Sequence, residues 1–487
     1  MEKTMRAVRC HRFAMVEEEE EDVEKGVQKD HQRQRKSFKS RSVPLRLRDC
    51  LTLDTVPLPN EYYFNNRHDD DELKSESSAS NNTKVLIRTE YAGIQYPDAL
   101  QAQGLYQVKP ALPYIPGMDV VGVVVKVIHP SSGQANNYNG NSNNNNMILL
   151  RPGDRVLATM LESGGTGGMS QFVVVPLKFV YKLPENIITS SSSSSSLAAA
   201  AAAAAAFANV GRNYFAAYHS LVEVGNINIR TNNDNDINND NNIQKQEQKI
   251  VLVTGASGGV GMATIELAKA MGCTVIAGVG STDKMNGPNS VGADAVFCYG
   301  RSKKERRDFR KQVLQFCHTT TTCNSNSRSA NDTAVGVDLV VDVVMGDLFE
   351  EALIGCVKPL GTIALVGFAA GQRKIRPGLL LVKEVRVAGS IWGRIANEAT
   401  EQQGEENNKY RTMVETILGY FANGKINPRV DRIVPLSKFI DAFEVFEVNK
   451  GKGNTVVSFV DENETTDETN NQNGNDRNYR HKRRSRL

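Results

Sequence analysis

The spacing of hydrophobic residues divides the chain near residue 250. Before that point, apolar runs at about residues 5–13, 51–59 and 84–94 are separated by long polar tracts. Short runs rich in β-branched residues are typical of strands. Beyond residue 250, apolar runs alternate with stretches of helical periodicity. The pattern therefore predicts a β-rich first part followed by an α/β part.

The strands of the second part are continuously apolar, not alternately apolar and polar. Such runs are typical of a parallel sheet that is covered on both faces. Between the first two runs, residues 260–272 have helical spacing and end at a glycine. We therefore predict a doubly wound parallel sheet. The six predicted strands are IVLVTG, TVIAGV, DAVFCY, VDLVVDVV, GTIALVGF and EVRVAGSI.

Polar tracts interrupt both parts, and we interpret them as insertions in loops. Lengthening a loop costs little, because closure entropy grows only with the logarithm of its length. The asparagine-rich tracts also have a composition compatible with a prion-like role, an alternative that the sequence leaves open. The predicted insertions cover about residues 14–48, 60–83, 130–148, 188–206, 226–248 and 318–334, and a polar tail covers residues 461–487.

Composition excludes several classes of function. A net charge of +3 does not by itself indicate a nucleic-acid partner. No apolar run is long enough to span a bilayer, and the alanine tract at 198–206 is too short and too weakly hydrophobic. No signal peptide is evident, and the seven scattered cysteines contain no CxxC pair, which favours reduced thiols in an intracellular protein.

A glycine-rich segment, VTGASGGVG at residues 253–261, lies where the first predicted strand of the second part becomes a helix. Gly258 allows a tight turn and close approach of the backbone to a pyrophosphate, and Gly261 lets the helix pack against the sheet. Backbone N–H groups at the helix start then face the anion. The segment predicts a dinucleotide site whose loop residues are Gly255, Ala256, Gly258, Gly259, Val260 and Gly261.

The end of the second predicted strand indicates which dinucleotide is bound. Enzymes that use NAD place Asp or Glu there on the ribose hydroxyls, whereas a basic group suits the 2′-phosphate of NADP. Here the strand ends at Gly280, which has no carboxylate. Ser281 offers a hydroxyl, and Lys284, one helical turn on, offers a positive charge. We therefore predict NADPH, although Lys284 also fits the role of an exposed helix lysine.

Three segments carry a resemblance to a known family: residues 90–124, residues 255–284 and PGDRV at 152–156. Together they resemble the zinc-independent quinone oxidoreductase (ζ-crystallin-like) branch of the medium-chain dehydrogenases/reductases. The resemblance implies a GroES-like β-barrel domain and a Rossmann domain. The barrel domain would comprise residues 5–210, completed by 395–460, and the Rossmann domain would comprise residues 211–394.

The same resemblance implies further cofactor residues and the absence of a metal. The family contacts the 2′-phosphate through a lysine and a tyrosine, which match Lys284 and Tyr299. Asn213 and the backbone near Gly367 and Phe368 would face the cofactor. Relatives that use zinc hold it with Cys and His at two positions that are Gln95 and Met118 here, and both are poor zinc ligands. The resemblance also implies a homodimer, with residues 384–391 as the candidate edge strand.

Without a metal, hydride must go to an acceptor that conjugation already polarises, which predicts a reductase of quinones or α,β-unsaturated carbonyls. The resemblance implies that Tyr106 donates a proton or hydrogen bond, and that Gln95 and Tyr96 line the nicotinamide pocket. Tyr106 also fits the role of a packing residue of the cleft wall. A second family tyrosine is Leu100 here, which affects the choice of substrate, and His219 is predicted to be a packed helix residue.

Two alternatives stay open at this point. One is a 2-enoyl thioester (enoyl-CoA) reductase, and the other, from a different class, is a non-catalytic nucleotide-binding protein of the crystallin-like or RNA-binding kind. The last residues, Ser485-Arg486-Leu487, resemble a peroxisomal address, so we expect a cytoplasmic or peroxisomal protein. The preceding basic run also fits a nuclear signal or a solvated tail.

Overall fold

The computed structural model describes eleven segments of the 487-residue chain. Most of the predicted insertions, the tail and the predicted address at Ser485-Arg486-Leu487 lie outside them. Within the described ranges, every helix is too short or too polar to cross a membrane. The described segments are residues 4–13, 46–59, 83–106, 109–129, 150–159, 167–184, 194–227, 248–323, 335–398, 408–447 and 454–460.

Nine of the described strands belong to the barrel part. They are β1 (Thr4–Cys10), β2 (Leu51–Pro57), β3 (Lys84–Ile94), β4 (Asp119–Ile128), β5 (Arg155–Thr159), β6 (Phe172–Pro176), β7 (Val180–Lys182), β14 (Arg432–Pro435) and β15 (Thr455–Ser458). Seven of them form one sheet in the order β14-β15-β3-β4-β5-β7, with β6 also paired to β3, and β1 pairs with β2.

Strand β3 organises this sheet. Its first half pairs with β6 and its second half with β15, so that segments far apart in sequence share one strand. Its pairing with β4 shifts register after Leu86 and again after Thr89. Register shifts of this kind bend and twist a strand. They let the sheet curve around a core that includes Val85, Ile87 and Val121.

The remaining six strands form a parallel sheet, as predicted. They are β8 (Ile250–Thr254), β9 (Thr274–Val279), β10 (Ala295–Cys298), β11 (Val337–Asp342), β12 (Val357–Leu365) and β13 (Arg386–Gly389). Their order is β10-β9-β8-β11-β12-β13, and every neighbouring pair is parallel. This is the order of a doubly wound dinucleotide fold, with a crevice between β8 and β11, where the strand order reverses.

Helices connect and cover the strands. The longer ones are α1 (Leu47–Cys50), α2 (Tyr96–Ala102), α3 (Ser194–Phe207), α4 (Val210–Tyr218), α5 (Gly259–Ala270), α6 (Asn286–Ser290), α7 (Lys303–Cys323), α8 (Pro377–Lys383), α9 (Gly393–Glu398), α10 (Lys409–Ala422) and α11 (Ile440–Glu447). The predicted helix at 260–272 corresponds to α5, and α11 is preceded by a short 3₁₀ turn, Leu436–Lys438.

The prediction of a polar insertion at 188–206 is wrong for its second half. Residues 194–207 form α3, in which Ala204, Ala205 and Ala206 are buried. Alanine has the highest helix propensity, and its small side chain lets a helix lie close to a sheet. The following turn presses on β3, because a Cβ on Gly93 would lie 2.0 Å from the carbonyl oxygen of Ala208.

Two other insertion boundaries need correction. Helix α7 runs to Cys323, so the first residues of the predicted 318–334 insertion continue a helix. The predicted 14–48 insertion ends within α1, where Leu47 is fully buried. In both cases the polar composition of the segment led to the prediction of a loop where the structure has part of a helix. The boundaries of the two predicted domains themselves stay predictions.

Helix α4 lies at the junction of the barrel and the parallel sheet. Gly211 faces β4 and β5, since a Cβ there would lie 2.5 Å from Asp119 Oδ1 and 2.3 Å from Thr159 Oγ1. The Tyr214 hydroxyl is hydrogen-bonded to the Glu266 carboxylate on α5. The side-chain amide of Asn213 donates to Asn454 Oδ1 at 2.8 Å, immediately before β15. One helix therefore contacts both parts.

The glycines that begin α5 have different physical roles. Gly255 has φ = +59°, a conformation that side chains disfavour. A Cβ on Gly261 would lie 2.5 Å from the Gly255 carbonyl oxygen, so the helix packs against its own loop only with glycine there. A Cβ on Gly258 would meet nothing closer than 3.4 Å. Gly258 is thus not required by packing.

These contacts predict opposite outcomes for two substitutions in one loop. Gly261→Ala forces a backbone contact apart and is expected to lower the free energy of unfolding by about 1–3 kcal/mol. Gly258→Ala, the matched control, is expected to change it by about 0.5 kcal/mol or less. Urea denaturation of both variants measures the difference. Equal stabilities would contradict the close packing at Gly261.

Candidate functional site

The carboxyl ends of β8 and β11 are joined by one buried carboxylate. Asp342 Oδ1 accepts hydrogen bonds from Thr254 Oγ1 at 2.6 Å and from the backbone N–H groups of Val344 and Met345 at 2.9 and 3.0 Å. Because these strand ends border the crevice, Asp342 fixes its floor. Asp342 was not predicted from the sequence, although an aspartate inside the predicted strand VDLVVDVV is a signal that could have found it.

Asp342 is fully buried, and its second oxygen, Oδ2, has no hydrogen-bond partner among the described residues. Burial raises the pKa of this carboxyl, while the hydrogen bonds from Thr254, Met345 and Val344 work in the opposite direction. A half-satisfied carboxylate is costly in a dry interior. A ligand bound at the crevice would therefore change the surroundings of this carboxylate.

The loop after β12 lies beside this carboxylate. The Gly367 N–H donates to the Asp342 carbonyl at 3.3 Å, and the Ala369 N–H donates to the Val343 carbonyl at 3.4 Å. A Cβ on Gly367 would approach the Val343 carbonyl oxygen to 3.1 Å. The side chain of Phe368 stays 42% exposed. The structure thus places Gly367 and Phe368 at the crevice edge.

The glycine loop presents backbone donors to the same edge. The N–H groups of Ala256 and Gly258 are already used, on the carbonyls of Gly278 and Gly255. Gly259 and Val260 begin α5, and the first N–H groups of a helix have no acceptor within the helix. Of the predicted loop residues, these two are therefore the best placed to donate to an anion.

Asn213 lies against the glycine loop. A Cβ on Gly259 would lie 2.4 Å from Asn213 Nδ2 and 2.5 Å from Asn454 Oδ1. Asn454 is itself held, because its N–H donates to Asp431 and its side-chain amide donates to the Arg429 carbonyl. Asn213 is therefore adjacent to the loop, and its amide nitrogen braces the loop against the barrel; its contact with a cofactor stays a prediction.

The predicted 2′-phosphate residues meet at the ends of β9 and β10. A Cβ on Gly280 would lie 3.4 Å from the Tyr299 hydroxyl oxygen, so the two strand ends are in contact. Burial raises the pKa of Tyr299, which keeps its hydroxyl protonated as a donor. Ser281 begins a 3₁₀ turn that ends at Lys284, and the Lys284 N–H donates to the Ser281 carbonyl at 3.2 Å.

On the barrel side, a buried polar cluster lies under the predicted nicotinamide pocket. Gln95 Nε2 donates to Asp119 Oδ2 at 3.1 Å, and the Arg212 N–H donates to the same oxygen at 2.8 Å. The Arg212 guanidinium lies 3.7 Å from Asp98 Oδ1, and Asp98 Oδ2 accepts from the Gln95 N–H at 2.8 Å. The other oxygen of Asp119 is directed toward Thr159, its partner on β5.

This cluster places two carboxylates beside one guanidinium in the interior. Asp98 and Asp119 are each 1% exposed. Burial raises the pKa of Asp119 to about 7, and the neighbouring charge of Asp98 adds to the shift while Arg212 opposes it. Burial likewise raises the pKa of Asp98. Sequence reasoning missed the cluster, because Arg212 is far in sequence from both carboxylates.

The residues at the two positions where relatives hold zinc do not fit a zinc ion. The amide nitrogen of Gln95 is engaged with Asp119, and Met118 is a half-buried thioether. Neither group is a usual zinc ligand. In the described part of the chain, no group of three or more His, Cys, Asp or Glu side chains is arranged to hold a metal ion. The metal-free chemistry stays a prediction.

The predicted catalytic residues differ in their burial and in their position relative to α2. Gln95 is buried and precedes α2, whereas Tyr96 is 38% exposed and its ring lies 6.3 Å from that of Phe446 on α11. Tyr106 is half-buried beyond the end of α2. Within the described segments, no hydrogen bond links Tyr106 to either residue. Their catalytic roles stay predictions.

The Asp119 carboxyl should make stability depend on pH. Its folded pKa of about 7 lies above the ordinary value of 3.8, so its contribution to stability is present in acid and is lost as pH rises through 7. Asparagine does not titrate, so Asp119→Asn should not show this decrease in stability with rising pH. We expect the melting temperature of the variant to fall less than that of the wild type between about pH 5 and about pH 8.

Asp154→Asn is the matched control in the same barrel. Although burial works against it, hydrogen bonds from Lys182 and the Arg151 backbone lower the pKa of Asp154. Asp154 is therefore ionised throughout this pH range, and its loss should shift the melting temperature by a similar amount at each pH. If the melting temperature changes with pH by the same slope in the wild type and in Asp119→Asn, Asp119 does not titrate in this range.

Two family models match the chain, one in each part. The model described as alcohol dehydrogenase GroES-like domain matches residues 81–185, and the model described as zinc-binding dehydrogenase matches residues 259–407. The first covers the β3–β7 region and the second begins at α5. The predicted combination of a GroES-like barrel with a Rossmann sheet is confirmed.

Similar proteins extend over most of the chain. Quinone oxidoreductase-like protein 2 homolog of Nematostella vectensis is 27% identical over 391 residues, covering 80% of this chain and 85% of the relative. Quinone oxidoreductase of Homo sapiens is 27% identical over 361 residues, covering 74% of this chain and 84% of that relative. A solved quinone oxidoreductase of Thermus thermophilus, 22% identical, shares the fold with a TM-score of 0.50, covering 85% of this chain and 98% of that one.

The resemblance predicted from residues 90–124, 152–156 and 255–284 is therefore confirmed by both domains and by relatives that span the junction between them. The matched families and relatives are oxidoreductases, so the chain is a quinone oxidoreductase-like enzyme. The two domain matches and the relatives together support the quinone oxidoreductase branch of the medium-chain dehydrogenases/reductases.

Proposed function

We propose that the enzyme is an NADPH-dependent reductase that transfers hydride to quinones or α,β-unsaturated carbonyls without a metal. The observation that carries the choice of cofactor is the end of β9. Gly280 stands where a carboxylate would hold an unphosphorylated ribose, and a Cβ there would lie 3.4 Å from the Tyr299 hydroxyl oxygen. Lys284 closes the next turn. The Thermus thermophilus structure of the same fold was solved with NADPH, which supports this choice.

The residues present fit such a cofactor from the end of β9, past the glycine loop, to the loop after β12. The free N–H groups of Gly259 and Val260 would receive the pyrophosphate. Ser281, Lys284 and Tyr299 would receive the 2′-phosphate, and Asn213, Gly367 and Phe368 would border the cofactor further along the crevice. When bound, the reduced nicotinamide supplies the hydride. The protein's contribution is to orient the reactants and to exclude water.

The barrel side would handle the negative charge that the substrate acquires. A quinone or enone that accepts hydride becomes an oxyanion and then needs a proton. We assign this proton, or a hydrogen bond to the oxygen, to the Tyr106 hydroxyl. Gln95, which Asp119 holds in place, and Tyr96 would line the pocket. Because Gln95 and Met118 are not zinc ligands, no step requires a Lewis acid.

The assignment is tested by kinetics with both nicotinamide dinucleotides. The wild type should oxidise NADPH in the presence of phenanthrenequinone and use NADH at least about tenfold less efficiently. Lys284→Ala and Tyr299→Phe should each raise the KM for NADPH by about tenfold and leave that for NADH unchanged, because each removes a contact with the 2′-phosphate. The loss of NADPH absorbance measures the rates.

Lys311→Ala is the control, because Lys311 is an exposed lysine on α7 that pairs with Asp308. It should leave both KM values unchanged. Crotonyl-CoA in the same assay tests the enoyl thioester alternative. If neither acceptor is reduced, the proposed reaction is wrong; if NADH works as well as NADPH, the assignment of Lys284 and Tyr299 is wrong.

We further propose that the enzyme is a homodimer assembled across β13. This strand is one edge of the parallel sheet in the described structure. Unpaired edges invite pairing with another strand. Large apolar side chains are exposed around this edge: Leu381 is 80%, Val382 83% and Ile391 66% exposed. A second copy related by a twofold axis would pair the edge with itself and cover them.

Val382→Glu should disrupt this assembly, because two copies would each bury an unpaired carboxylate. Light scattering coupled to gel filtration should show a dimer for the wild type and a monomer for the variant. Ile433→Glu, an exposed apolar residue on the barrel strand β14, is the control and should stay dimeric. A monomeric wild type would contradict the proposal.

A further inference from the structure

A chain of three side chains joins helix α4 to the end of β13. Ser220 Oγ lies 2.7 Å from the Ala216 carbonyl, Ser390 Oγ lies 2.9 Å from Ser220 Oγ, and His219 Nδ1 lies 2.8 Å from Ser390 Oγ. His219 and Ser220 are buried. They begin a π-helical segment, His219–Val224, a form of helix that is rare and frequent at functional sites.

Counting protons along this chain fixes the state of the histidine. The Ser220 hydroxyl donates its one proton to the Ala216 carbonyl, so Ser390 must donate to Ser220. The proton of Ser390 is then used, and His219 Nδ1 must carry the proton that is donated to Ser390. Burial lowers the pKa of His219, so the ring is neutral near pH 7 and Nε2 is unprotonated.

The chain ends at the carboxyl end of β13, where none of the predicted cofactor residues lies. In a sheet of this order, the half of the dinucleotide next to the glycine loop and the second strand lies over β8–β10. The nicotinamide half therefore lies toward β11–β13. Ser390 directly follows β13, and its N–H donates to the Leu365 carbonyl at the end of β12 at 2.8 Å.

The turn after β13 is held on both sides. Ser390 is bound to His219, while the ring of Trp392 is packed edge-on against Phe215 at 5.3 Å and stacked with Tyr410 at 6.3 Å. Between these anchors, Ile391 is 66% exposed. The aromatic contacts position one end of the turn. At the other end the Ser390 N–H is bound to the Leu365 carbonyl, and the hydrogen bond from His219 adds a contact that orients the Ser390 side chain.

We propose that His219 is a positioning residue: through Ser390 it holds the carboxyl end of β13, and the turn that follows, in the arrangement that receives the nicotinamide half of the cofactor. The inference rests on the proposed function. His219 does not touch the reacting atoms. It reduces the ordering that the turn must undergo when the cofactor binds, which improves affinity without a new contact.

Two substitutions separate this role from simple packing. His219→Phe keeps a ring of similar size but removes the donor, so that Ser390 Oγ loses the hydrogen bond it accepts and keeps the one it donates to Ser220. We expect NADPH to bind about tenfold more weakly, which corresponds to one buried hydrogen bond. His219→Asn keeps an N–H donor near the position of Nδ1 and should restore most of the affinity. Ser390→Ala should match His219→Phe, and the double variant should lose no more.

The adenosine half provides the internal control. Isothermal titration with 2′,5′-ADP, which lacks the nicotinamide half, should give the same Kd for the wild type and all three single variants. Equal weakening of NADPH and 2′,5′-ADP, or no weakening of NADPH, would overturn the proposal. If the wild type binds neither, the proposed function fails as well; if it binds both and His219→Phe is unaffected, only this inference fails.

The tautomer is a second, independent readout. Nitrogen NMR of the histidine-labelled protein, with the His219 signals assigned by their loss in His219→Asn, should show a neutral ring protonated at Nδ1. A ring protonated at Nε2 would contradict the proton count and with it the proposed bond to Ser390.

Discussion

The structure depends on how closely the glycine loop approaches α4 and the segment before β15. Gly259 leaves no room for a side chain beside Asn213 and Asn454, and these two amides are hydrogen-bonded to each other. Asn213 belongs to the junction helix and Asn454 is one residue from a barrel strand. The distance between the parallel sheet and the barrel is therefore set at the point where the crevice begins. A larger residue at Gly259 would change both the loop and the width of the crevice.

Much of the fold follows from the sequence, and the reasons are local. Continuous apolar runs predicted every strand of the parallel sheet, and the order of strand, glycine loop and helix predicted its binding edge. The interpretation of the alanine tract as part of an insertion was wrong. A run of identical alanine residues has no alternation of apolar and polar positions, so the sequence does not show which face of the helix is buried. The Asp98, Arg212 and Asp119 cluster could not be read, since its members are brought together only by packing of α2, β4 and α4.

In the candidate site, too, some residues could be predicted from local sequence, and others depend on packing between distant segments. The residues found by pattern, such as Gly261 and Gly280, are glycines recognised by their place in the order of strand, loop and helix. The residues that were missed, Asp342 and Ser390, are polar groups that hold strand ends in place through partners far away in sequence. In both cases, the buried Asp342 and the half-buried Ser390, hydrogen bonds of the polar group also fix a turn, and such groups confer geometry more than stability.

The pairing of β3 has a consequence for synthesis of the protein. The second half of β3 is completed by β15, so residues 91–94 must wait for residues 455–458 to leave the ribosome. The parallel sheet lies wholly between them in sequence and can assemble first. Closing the barrel is thus a late event with a large sequence separation, which is slow. Until then, the apolar edge of β3 is exposed in the nascent chain, where chaperones are best placed to protect it.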